Sequence, residues 1–370
     1  MPPSGRVIIN PNIAGLTPYQ PGKPIDEVTR ELGLNSVVKL ASNENPRGPG
    51  QSVRDAIMEA SDQLSLYPDG SAYRLKQALA ERLGVGPEQL TVGNGSNDVL
   101  DLAARISITP GAETLVSEHA FVVYRLATAC AGGTLVEVPA REFGTDLTAM
   151  QAAITDATAI VFIANPNNPT GTWVGESALV DFLDAVPREV WVVLDEAYLE
   201  YVEESAYPNG VKLLDRYPNL IVTRTFSKIY GLAALRIGYA VSSPEAADLM
   251  NRARQPFNAN SLAMAAALAA LEDEAFVAES RRLNREGMRQ VVAGLEALGL
   301  AHIPSVGNFV SFDVGCPAAQ AFDALLKQGV IVRPVAEYGL AQHLRVTVGV
   351  ADQNERFLAA LARVLPELQA

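Results

Sequence analysis

Cysteine and histidine are scarce. The 370 residues hold two cysteines, Cys130 and Cys316, and three histidines, His119, His302 and His343, all far apart. Neither set has the spacing of a zinc site, so no structural metal is expected. One bridge between the cysteines is arithmetically open, yet so sparse a usage fits a reduced, intracellular protein. Basic charge is also short: 29 Lys and Arg against 42 Asp and Glu leave a formal net charge of −13. That argues against nucleic acid or an anionic membrane as partner, since both need a basic face. An anionic small substrate stays open if local arginines overcome the global field. Long apolar runs are lacking too. The longest, 262–271, is alanine-rich and falls well short of the roughly 20 residues that span a bilayer. Residues 1–10 show no apolar segment behind a basic start, so no signal peptide is expected and a cytoplasmic location follows. The glycosylation sequon at Asn94, Gly95 and Ser96 would then go unused.

What is present is an ordinary globular balance, 48% hydrophobic and 19% charged, in a chain long enough for one large domain and a smaller one. Short β-rich runs recur: "LTV" before Gly93, "ETLVSE" at 113–118, "GTLVEVP" at 133–139, "AIVFIANP" at 159–166, "VWVVLDEAY" at 190–198, "LIVTRTF" at 220–226 and "RIGYAVS" at 236–242. Helix-like segments lie between many of them. That alternation predicts βαβ units and an α/β fold with a mainly parallel sheet flanked by helices. After Ser243 the pattern turns helical, at 244–254 and along one continuous stretch at 261–298. Short strands follow around a helix at 318–328, as in a smaller α+β domain. The expected division is a large domain at 33–258, with 1–32 and 259–370 forming an N-terminal arm and the small domain. The proline-rich arm is expected to dock through Ile13, Leu16 and Tyr19.

The chemistry gathers where strands end. Lys228 closes a strand-like run, so it belongs at the carboxyl edge of the sheet, where open α/β folds bind ligands. A lysine forms a Schiff base with a carbonyl when its amine is neutral, and burial or a nearby cation such as Arg236 pushes it that way. Thr225 and Ser227 add hydroxyl donors, and Arg236 adds a planar fork for phosphate. Asp195 ends a very apolar strand, where a carboxylate is costly unless it meets a cation or proton; a pyridinium nitrogen is such a partner. Tyr198 lies three residues on, within reach of a ring oxygen. "NPNNPTG" at 165–171 is a rigid turn that would hold Asn168. "GNGSND" at 93–98 is a glycine-rich loop opening a helix, which attracts phosphate, although it lacks the third glycine of a dinucleotide site. Phe121 in "HAFVVY" could stack on a flat cofactor. Taken singly, each of these is also an ordinary turn, cap or core residue.

Jointly they resemble the fold-type I aminotransferases that use pyridoxal 5′-phosphate, and within them the histidinol-phosphate aminotransferase subfamily. "PYQPGKP", "KLASNENPRGPG", "LYPDGSAYRLKQAL" and "HLRVTVG" extend the similarity from Pro18 to Gly349. The resemblance implies that Lys228 carries the cofactor and is the acid–base group. It implies that Asp195 pairs with the pyridine nitrogen, Asn168 and Tyr198 contact the ring hydroxyl, and Phe121 stacks on the ring. Gly95, Ser96, Asn97, Thr225, Ser227 and Arg236 would hold the phosphate. Tyr67 would reach the phosphate of the neighbouring subunit, making a homodimer the active unit. Arg345 would grip a substrate carboxylate, with Tyr19 and Arg333 on the distal phosphate or carboxylate. The implied reaction is L-histidinol phosphate plus 2-oxoglutarate to imidazole acetol phosphate plus glutamate. The chain departs from the family in Phe121, where Tyr is common, in His119 and Ala120, where Pro-Thr is common, and in Ala234, where Gly is frequent. Rival readings are an aromatic amino acid aminotransferase, a threonine-phosphate decarboxylase and a regulator without turnover. The last would need a DNA-binding module, and no basic helical one is evident.

Overall fold

The computed structural model describes residues 10–18 and 22–368. The apolar runs form a seven-stranded sheet of β1 (Leu90–Gly93), β2 (Glu113–Ser117), β3 (Thr134–Val138), β4 (Thr158–Ala164), β5 (Trp191–Asp195), β6 (Leu220–Thr225) and β7 (Gly238–Ser242). Their order is β1-β7-β6-β5-β4-β2-β3. β7 runs antiparallel to both its neighbours, and the other pairs are parallel. β6 is buried at every residue, as a strand covered on both faces must be. Side chains alternate between two cores. Val161, Ile163, Val192, Leu194 and Val222 enter one, and Ile160, Phe162, Val193 and Ile221 the other.

A second, four-stranded antiparallel sheet has the order Arg333–Pro334, His343–Thr347, Phe309–Asp313, His302–Ile303. Val310, Phe312, Leu344 and Val346 pack there with Phe357 and Leu361 of the last helix, Ala351–Leu368. Val38 and Leu40 join this core, because Val38–Lys39 pairs in parallel with Val330–Ile331. The α/β fold with a mainly parallel sheet and a smaller α+β unit is therefore as expected.

Three local readings change. The stretch 261–298 is two helices, Ser261–Glu272 and Glu274–Ala297. Asp273 breaks it: its carboxylate accepts from the Phe276 N–H at 3.0 Å and caps the second helix. The first of these helices, placed in the small domain from sequence, packs through Ala263, Ala266, Ala267 and Ala270 into the core of the large sheet. In the arm, the short helix Pro11–Ala14 lies near Val122–Ala131 but buries none of its own residues. Ile13 is 46% exposed, so it does not dock on this chain, whereas Leu16 is half-buried. Tyr19 lies outside the described residues. Among those described, no helix is long and apolar enough to cross a membrane, and no cluster of His, Cys, Asp and Glu could hold a metal.

Beneath the edge of the large sheet, Arg224 on β6 meets Glu196, the residue after β5. Its Nε and Nη2 donate to Glu196 Oε2 at 2.9 and 2.7 Å, and Glu196 Oε1 accepts from the Gly210 N–H at 2.8 Å. The Glu196 side chain is wholly buried. Removing one member of such a pair strands the other charge. Glu196→Ala is expected to lower the unfolding free energy by about 3–5 kcal/mol, read from denaturant titration. A loss below about 1 kcal/mol would mean that water reaches Arg224.

Candidate active site

The strand directions bring the sequence motifs to one edge. β1, β2, β4, β5 and β6 end there, and the antiparallel β7 starts there. Loops spaced by more than a hundred residues therefore converge on one cleft. Ser96, Asn97, Phe121, Asn168, Asp195, Tyr198, Thr225, Ser227, Lys228, Arg236, Arg333 and Arg345 all line it. The small unit supplies Arg333 and Arg345, so the cleft lies between the two sheets. Tyr67 does not line the cleft. Its ring is 83% exposed and stacks on Phe257 at 4.8 Å.

One end of the cleft is built for an anion. Gly95 precedes the twelve-residue helix Ser96–Ser107, and no side chain caps the helix start. Its φ is +83°, and a Cβ there would stand 2.6 Å from Arg236 Nη2. Gly238 is equally required, because a Cβ would meet the Ser96 nitrogen at 2.5 Å. Two glycines thus let a helix N-terminus and a guanidinium crowd together, with Thr225 and Ser227 beside them. The Ser227 N–H donates to Thr225 Oγ1 at 3.1 Å, fixing that corner. Arg236 itself adopts a left-handed φ of 56°, a cost of roughly 1–2 kcal/mol. Its Nη1 donates to the Ala233 carbonyl at 3.1 Å.

Asp195 is buried at the far end of β5. Its Oδ2 accepts from the Tyr124 hydroxyl at 2.8 Å, and its Oδ1 from Thr223 Oγ1 at 3.0 Å. Burial raises its pKa, and these two hydrogen bonds oppose the rise. The Tyr124 hydroxyl is pushed well above the ordinary phenol range by burial and by Asp195, so it stays a donor. The ring of Tyr124 stacks on Phe162 at 4.7 Å and meets Phe121 edge-on at 5.9 Å.

The turn carrying Asn168 is tied at both ends. Asn165 exchanges two hydrogen bonds with the Val174 backbone, at 3.1 and 2.9 Å, and the Asn167 N–H donates to the Thr172 carbonyl at 2.8 Å. Asn168 Oδ1 accepts from Arg345 Nη1, which leaves its amide N–H groups to donate. Arg345 Nη2 donates to the Ala41 carbonyl at 2.7 Å. The Tyr198 hydroxyl accepts from Asn43 Nδ2 at 3.0 Å.

Lys228 lies on the cleft floor. Its Nζ donates to the Ser42 carbonyl at 3.2 Å and lies 5.5 Å from the centre of the Tyr198 ring. Burial, and after it Arg345 and Arg236, bring its pKa down to about 7, against the pull of Glu44 and Asp195. At neutral pH a large share of the amine is therefore a free nucleophile.

The family described as aminotransferase class I and II matches residues 35–361. The chain belongs to that family. It is 57% identical to histidinol-phosphate aminotransferase 2 of Pseudomonas fluorescens (strain Pf0-1) over 360 residues, covering 97% of each chain. The enzyme of that name from Pseudomonas aeruginosa is 55% identical over the same length. Among solved structures, histidinol-phosphate aminotransferase from Sinorhizobium meliloti in complex with pyridoxal 5′-phosphate superposes with a TM-score of 0.90 at 32% identity, covering 99% of each chain. Aspartate aminotransferase from Thermus thermophilus shares the fold, with a TM-score of 0.84 over 98% of this chain and 100% of its own.

The aminotransferase cleft is also lined by residues that the sequence reading passed over, Asn43, Tyr124 and Tyr338, and Thr223 supports it through Asp195. Tyr124 had a usable signal, since it stands three positions after Phe121 on one helix face. Tyr338 had none, lying in a short turn between small-unit strands.

The lowered Lys228 pKa has a measurable consequence. Between about pH 7 and 10.5 the unfolded chain binds more protons at this lysine, so its contribution to stability rises with pH across that window. In cofactor-free protein, acylation of Lys228 by an amine reagent is expected to rise with pH and level off just above about 7, followed by peptide mass spectrometry. Arg345→Leu is expected to move that midpoint upward. A midpoint near 10 in the unaltered protein would contradict the burial argument.

Proposed function

We propose that this aminotransferase uses pyridoxal 5′-phosphate to move the amino group of L-histidinol phosphate to 2-oxoglutarate, in the cytoplasm, as a step of histidine biosynthesis. The observation that carries this reading is one juxtaposition. A half-neutral lysine faces a buried carboxylate, an anion cradle on one side and two buried arginines on the other. The relatives bearing the histidinol-phosphate name, at 55–57% identity over nearly the whole chain, support the choice of amine.

The residues fit this cofactor. The cradle of Gly95, Ser96, Asn97, Thr225, Ser227 and Arg236 would take its phosphate, and the two glycines that keep the cradle clear are the observation that tests the fit. Asp195, fixed by Tyr124 and Thr223, would hold a proton on the ring nitrogen. That cation in turn relieves a carboxylate whose burial alone favours protonation. Phe121 would lie along the ring, and Asn168 and Tyr198 would meet its hydroxyl. When bound, the cofactor supplies an electrophilic aldehyde and a protonated ring that draws electrons from the substrate's α-carbon. Lys228 Nζ would hold the aldehyde, and the same nitrogen, when free, would take the substrate's α-proton; its pKa of about 7 suits it to both tasks. Arg345 would bind the carboxylate of 2-oxoglutarate and glutamate. Arg333, with Tyr19, would bind the distal phosphate or carboxylate.

A homodimer completes the reading. Tyr67 would enter the cleft of a second copy. Around it Met58, Leu64, Leu66, Tyr73 and Phe257 are also exposed, an apolar band that a partner surface would cover.

Four experiments test this reading. Lys228→Ala is expected to abolish transamination. Arg333→Ala is expected to lower kcat/KM about 100-fold for histidinol phosphate but less than about 10-fold for phenylalanine. Profiling histidinol phosphate, phenylalanine, tyrosine and threonine phosphate as amine donors separates the aromatic transaminase and decarboxylase alternatives. Separately, Tyr67→Ala and Lys228→Ala chains, each impaired alone, are expected to regain up to about a quarter of full activity when unfolded and refolded together. Only the mixed dimer carries one intact site. No recovery from the mixture would place Tyr67 outside the partner's site.

A further inference from the structure

Arg333 and Arg345 are direct partners on neighbouring antiparallel strands, both buried and both lining the cleft. Two guanidiniums lining one desolvated cleft repel one another and attract anions strongly. Arg333 is ion-paired there. Its Nη2 donates to Glu337 Oε1 at 2.6 Å, and the Glu337 side chain is 35% exposed, at the border with a second, smaller cavity behind Phe121 and Tyr338. We propose that Glu337 is a specificity-determining counter-charge, which tempers the grip of Arg333 so that one subsite accepts both a dianionic and a monoanionic substrate tail. The proposal rests on Arg333 meeting the substrate's distal group, as above.

The physical reason is a difference in scaling. A fixed negative charge near the subsite penalises a dianion about twice as much as a monoanion and leaves an uncharged tail alone. The carboxylate thus narrows the gap between a phosphate tail and a carboxylate tail. A two-step transaminase needs that, because an amine donor held too tightly would block the acceptor that must follow it into the same cleft. Glu337 achieves this while holding the Arg333 fork in place.

The test uses Glu337→Gln in the holoenzyme, since glutamine keeps the acceptor oxygen and loses the charge. The probes are three unreactive carboxylates that share one head group: 3-phenylpropanoate, glutarate and 4-phosphonobutanoate, titrated calorimetrically above the second phosphonate ionisation. The expected gain in affinity is none for the first, about threefold for glutarate and about tenfold for the phosphonate. Equal changes for all three, or weaker phosphonate binding, would overturn the proposal. Glu337→Asp, which restores the charge, is expected to reverse most of the gain, and failure to do so would equally overturn it. None of these probes is a substrate. If histidinol phosphate proves not to be the amine donor, the graded response still stands or falls by itself.

Discussion

The cleft must attract anions and also keep an amine free of its proton. These demands fall on the same charges. Arg345 and Arg236 make the cleft attractive to carboxylate and phosphate, and both also push the Lys228 amine toward neutrality, after burial has done most of it. A lysine among carboxylates would be the better cation and the poorer nucleophile. Asp195 and Glu44 restrain the shift, which stops near 7. Lys228 therefore lies where a small change of environment swings its protonation, as proton transfer in both directions requires.

The sheet makes this arrangement possible through one reversed strand. Were β7 parallel to its neighbours, Arg236 would sit at the opposite edge from Lys228. Because β7 is antiparallel, the chain leaves the edge after Lys228, makes a short turn at Ala233–Leu235, and re-enters at Arg236. The eight-residue spacing is the length of the whole connection from Lys228 to Arg236. Closing it forces Arg236 into a left-handed backbone and demands glycine at Gly95 and Gly238, so local strain and the anion cradle have one origin.

Much of this was legible in the sequence because the cleft is made of strand ends. A strand announces itself by continuous apolar residues, and the polar residue that follows is marked by contrast. Asp195 after "VWVVL" and Lys228 after "LIVTRTFS" were found in that way; five of the seven strands lie within the runs that suggested them, and the other two reach one residue beyond, to Gly93 and Thr158. The signal fails where position depends on packing between distant segments. Asn43 is brought to Tyr198 by the pairing of Val38–Lys39 with Val330–Ile331, which no local pattern encodes. The break at Asp273 was hidden because the helical periodicity resumes after one residue, although an aspartate cap was there to be read. The helix Ser261–Glu272 is apolar all round, so composition shows that it is buried but not in which unit.

The two units are bound to each other through groups that line or adjoin the cleft. Arg345 reaches from the small sheet to Asn168 on the loop after β4 and to the Ala41 carbonyl. Ser311 Oγ, on the neighbouring strand, donates to the Pro169 carbonyl at 2.5 Å, and His119 Nδ1 donates to the Tyr338 carbonyl at 2.6 Å. Each contact spans the cleft beside a residue that lines it. Displacing the small sheet would shift Arg345 away from Lys228, weaken the field that neutralises the amine and admit water, and both effects favour the ammonium form. Nucleophilicity at Lys228 is thus conditional on the two sheets being seated together. The arginine proposed to bind a carboxylate is also one of the groups that lower the pKa of the lysine, so recognition and reactivity would not be altered independently at that position.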